Sequence, residues 1–97
     1  MNYETIDPTI DKWRSEHDLH IYTSAKEEQV RSVHMVDRKA RTYRIWIDPP
    51  DEKGIVMVHA CAWDCKKRKQ DWSATLGELR LVLEKAHKTI LRWMTES

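Results

Sequence analysis

Ninety-seven residues, 17 of them basic and 16 acidic, make one domain with no global field drawing it to nucleic acid or to a membrane. Two glycines, Gly54 and Gly77, leave no P-loop, dinucleotide fingerprint or G-x-S-x-G elbow. Two cysteines are too few for a disulfide scaffold, the opening MNYETIDPTI lacks the apolar run of a secretory signal, and no stretch reaches the ~18 apolar residues of a membrane span, so a cytoplasmic protein with reduced thiols is expected.

The first element is a short helix over about 8–17. Asp7 is placed to cap it and Pro8 suits its first position, where a missing N–H costs nothing. Ile6, Ile10, Trp13 and His17 recur in steps of four, three and four and make a narrow inward face. Glu16 and Asp18 oppose the dipole at its far end, so the helix should be brief.

Strands are expected over about 19–25, 29–37, 41–48 and 55–64. The second is the ambiguous one. Val30, Val33, Val36 and Ala40 also fit a helical stripe, but the β-branched content of Val30–Val36 favours a strand. In Thr42–Ile47, Tyr43, Ile45 and Ile47 share one face, and Thr42, Arg44 and Trp46 share the other. The segment Pro49–Gly54 breaks the pairing, with Gly54 free to take positive φ. Ile55–Trp63 is apolar on both faces, as a central strand would be. Lys66–Asp71 reads as a polar connection.

The last helix, about 75–95, is the strongest pattern in the chain. Trp72, Leu76, Leu79, Leu83, Ala86, Ile90 and Trp93 keep to one side of a helix, and the stripe broadens to Val82 and Met94. Thr75 and Glu78 have the spacing of a capping box, which makes Trp72 a lead-in residue. Arg80, Glu84, Lys85, Lys88 and Arg92 read as a solvated outer face, with Glu84 and Lys88 paired at i,i+4. The whole is a single α+β domain: an antiparallel three- to four-stranded meander sheet, a short N-terminal helix, and a long amphipathic C-terminal helix packed on one face.

Chemistry is sparse. His59 and Cys61 point the same way on a strand, but Cys65 lies ~13 Å further along an extended chain and no second His/Cys pair has zinc-site spacing. Buried thiols and a satisfied histidine explain these residues, with no metal or cofactor. Lys66, Lys67, Arg68 and Lys69 follow Cys65 directly and would lower its pKa if it were exposed. No histidine is brought to a nucleophile by any motif, so no enzyme is expected.

Two functions remain. One long helix leaves a sheet face partly open, and Arg44 and Trp46 on that face, with Leu81 on the outside of the helix, are the candidate residues of a protein-interaction module or a self-associating one. The alternative is nucleic-acid binding, RNA above all, through Lys66, Lys67, Arg68 and Lys69 at the approach to a helix N-terminus. Basic residues outnumber acidic ones six to three over 26–47 and are outnumbered two to five over 1–18, so the near-neutral total conceals a dipolar chain.

Overall fold

A computed structural model describes residues 3–25, 28–63 and 68–96, with side chains throughout except over 22–30. A 3-10 turn, Tyr3–Thr5, leads into helix α1, Asp7–Glu16; strands β1, Ile21–Ala25, β2, Glu28–Val36, β3, Thr42–Ile47, β4, Val56–Cys61, and β5, Lys69–Ala74, follow, and helix α2, Leu79–Glu96, closes the chain. The sheet runs in the order β1-β2-β3-β4-β5 with every pairing antiparallel. The α+β meander with a short first helix and a long last helix on one face is thus the architecture, and Val30–Val36 is strand.

Strand β5 is the addition. Lys69–Ala74 lies in the segment read as a polar connection, and Trp72 belongs to this strand instead of leading into the helix. The segment carries only two apolar residues, Trp72 and Ala74, and the rest is exposed. A polar outer strand of this kind shields a sheet edge.

Alternation along the strands sets the two faces. Val33, Met35, Tyr43, Ile45, Ile47, Val56, Val58 and Ala60 are buried inward. Against them α2 lays Leu79, Val82, Leu83, Ala86, Ile90 and Trp93. Leu76 is left half-exposed ahead of the helix, so the stripe begins one turn later than its spacing implies. The capping box does form: Thr75 N donates to Glu78 Oε1 at 3.1 Å and Glu78 N to Thr75 Oγ1 at 3.3 Å. It closes a tighter turn, with Glu78 N also bonded to Thr75 O, before regular helix starts at Leu79.

Helix α1 lies on the same inner face. Its Ile6, Ile10 and Trp13 are buried in the core. Asp7 sits inside the helix and Ile6 takes the cap position without a side-chain bond. Asp7 instead accepts from Arg31 Nε at 2.7 Å and Nη2 at 3.0 Å, a two-pronged pair that ties α1 to β2. The Arg31 guanidinium also lies 4.3 Å from the Tyr3 ring, and Tyr3 OH donates to Ile47 O at 2.7 Å.

Among the described residues three turns carry positive φ, the first at Asp18 after α1, at φ 54. Gly54, at φ 79, ends the β3–β4 loop as its sequence suggests, closed by Asp51. Ala40, at φ 64, closes the β2–β3 hairpin around Asp37. That carboxylate accepts from Lys39 N, Arg41 N, Arg41 Nε and Tyr43 OH. Burial works against its charge, but these four bonds prevail and hold its pKa at about 2.

Candidate interaction face and a histidine cluster

Among the described residues neither helix covers the outward face of the sheet, because both sit on the other side. Two rows of residues cross it in register. His34, Arg44, Cys61 and Lys69 make one, and Ser32, Trp46, His59 and Asp71 make the next. Arg44 and Trp46 therefore lie together on this face, as their alternation requires. The Arg44 guanidinium stands 4.6 Å from the Trp46 ring, and the His59 imidazole stacks on that ring at 4.8 Å with only 18° between planes.

Strand spacing picks out His59 but not the two carboxylates that hold it. Its Nδ1 donates to Asp71 Oδ1 at 2.6 Å and its Nε2 to Asp48 Oδ2 at 2.8 Å. A carboxylate only accepts, so the two bonds form together when both ring nitrogens carry protons, and the pair of aspartates favours the imidazolium. Burial opposes that charge, but the hydrogen bonds to Asp71 and Asp48, and their charges, raise the pKa. Asp71 lies on β5, the strand whose polar sequence reads as a connection. With both nitrogens engaged, His59 is neither a free base nor a metal ligand. His34, by contrast, is held below its usual pKa by burial and by Arg44.

The other sequence candidates fall elsewhere. Leu81 is 59% exposed on the outer side of α2, separated from Arg44 and Trp46 by both layers of the fold. No single contact surface contains all three. Lys66 and Lys67 lie outside the described residues. Arg68 is tied to the end of α2, donating to Trp93 O at 3.0 Å and approaching Glu96 at 3.9 Å. Lys69 is exposed in the first row of the open face. Cys61 is buried and disulfide-bonded, which corrects the expectation of reduced thiols and removes it as a thiolate ligand. Cys65, the chain's other cysteine, lies outside the described residues.

A second constellation joins the helices. His17, at the C-terminal cap of α1, donates from Nε2 to Glu84 Oε1 at 2.8 Å and Oε2 at 3.0 Å. Its ring centroid is 4.4 Å from that of His87. Trp13 meets both imidazoles edge-on at 6.4 Å. Glu84 thus faces inward to α1 and pairs with Arg80, not outward to Lys88. Burial pushes the Glu84 carboxyl up, and His17 and Arg80 together draw it down further. Burial, reinforced by His17 and partly offset by Glu84, lowers the His87 pKa. Among the described residues this is the group of side chains with the composition and closeness of a metal centre.

At the end of the molecule, Val36, Arg38, Lys39, Arg41, Leu91 and Met94 help line a groove of about 620 Å³. Trp63, 54% exposed, stands nearby with the Arg41 guanidinium 5.6 Å from its ring.

No protein-family model matches this chain, and neither curated proteins nor solved structures give a match, so the arrangement of its own side chains is the basis for any reading of function.

Proposed function

We propose that this is a non-enzymatic protein-interaction domain that binds its partner on the open face of the sheet. The observation that carries the reading is the Arg44–Trp46–His59 assembly, held between Asp48 and Asp71 on the face that neither helix covers. The polar groups of this face are already oriented by one another, which lowers the ordering cost of binding. Trp and Arg are also the residue types that most often dominate binding energy. Charge divides along the strands: Arg44 and Lys69 occupy one row, while Asp71 and Asp48 lie towards the other end. The complementary partner is a protein segment with an acidic group over the first row, a basic group over the second, and an apolar side chain against Trp46.

The test is affinity capture by the wild-type chain and by the double variant Arg44→Glu, Trp46→Ala, with circular dichroism to show that both are folded. A protein retained at least tenfold better by the wild type supports the reading. Equal retention removes it. Material that is released by nuclease would instead favour RNA binding through Lys69 and its basic neighbours, with affinity falling steeply as salt rises.

A further inference from the structure

We propose that His17, Glu84 and His87 form a zinc site that clips α1 to α2. The three side chains offer two imidazole nitrogens and one carboxylate, with all ligand atoms within 4.8 Å of one another. Two imidazoles and one carboxylate are a donor set that zinc accepts, with a fourth position left to water. Tetrahedral bonds of ~2.0–2.1 Å place ligand atoms ~3.4 Å apart. His17 Nε2 and Glu84 are already closer than that, at 2.8 Å. The widest separation closes with side-chain movement of roughly 1–1.5 Å.

The surroundings are those of a built site. Glu84 and His87 stand at i and i+3 on one regular helix, so their spacing is fixed by the backbone. His17 comes from the cap of the facing helix. The side chains of His17 and Glu84 are 28% and 26% exposed, which leaves an entry path while excluding most water. Arg80 Nε lies 3.4 Å from Glu84 Oε1 and would orient the carboxylate from outside the coordination sphere. The Arg80 charge is shared with Glu16, to which its Nη2 is also paired. Zinc would replace the proton that now lies between His17 Nε2 and Glu84, that proton moving to Nδ1 or to solvent.

This site owes nothing to the open sheet face and can be tested independently. Calorimetric titration of the full chain with Zn²⁺ should show one saturable equivalent, with a rise in Tm. Cobalt in its place should give the visible absorption of a four-coordinate N/O centre. His87→Ala and Glu84→Gln should each weaken Zn²⁺ binding at least about tenfold, as loss of even an outer-shell partner can do. His34→Ala, on the far face, should leave it unchanged. Absence of saturable binding to the wild type overturns the proposal, whether or not the variants fold. So does an undiminished affinity in a folded His87→Ala protein.

Discussion

Trp46 is held by cations, and His59 is held by anions. These two residues make the open face a defined surface. The state of His59 gives it a pH signature. Its folded pKa is raised above the ordinary imidazole value of 6.5, so its contribution to stability is complete below that value and is lost as pH rises through the folded pKa. Thermal melts at pH 6 and pH 8.5 check this: the Tm gap between wild type and His59→Gln should be wider at pH 6. An equal gap at both would mean that Asp48 and Asp71 do not hold the imidazolium. At this scale the sequence showed that Arg44 and Trp46 share a face, because a strand has period two. It concealed His59 as their partner, because the carboxylates that fix it come from Asp48 beyond β3 and Asp71 on β5. Glu84 reads as a solvated residue for a similar reason. A carboxylate among lysines and arginines on a helix looks solvated until a neighbouring helix supplies His17.

Among the elements, α2 was the most legible. Its stripe and its capping box are both local, and local patterns survive the absence of tertiary information. Thr75→Ala removes the oxygen that accepts from Glu78 N and should cost about 1 kcal/mol, measured by urea denaturation. A loss near zero would mean that the tight turn before Leu79 holds without its cap. Strand β5 was the least legible. An edge strand needs only one partner and tolerates polar side chains on its free side, so Lys69–Ala74 carries little of the β signal that marks β3 and β4. Helix α1 lies between these extremes. Its inward residues were plain, but Asp7 had two uses open to it, capping and pairing. Arg31, twenty-four positions away, selected the second.

The molecule as a whole is two layers with one of its two outer surfaces made of bare sheet. Trp13 sits where α1 meets α2 and is 0% exposed. Trp13→Ala should destabilise the fold by ~3–5 kcal/mol in urea melts, the cost of emptying a large core position. A much smaller loss would show that α1 contributes little to the core. The one-sided covering also separates the two proposals: a zinc clip would act between the helices, and a protein partner would act on the opposite surface. On the helix side Leu81 and Leu91 are both exposed but stand ten positions apart on α2, and scattered exposed apolar residues are ordinary. The sheet side has the oriented charges and the aromatic ring.

Site-specific photo-cross-linking tests that central claim most directly. A photoreactive residue at Ser73, exposed on β5 and outward-facing, probes the open face, and one at Leu81 probes the helix side. The account predicts a protein adduct from Ser73 that disappears when Trp46→Ala is added, and none from Leu81. An adduct from Leu81 alone, or one from Ser73 that persists without Trp46, would contradict it.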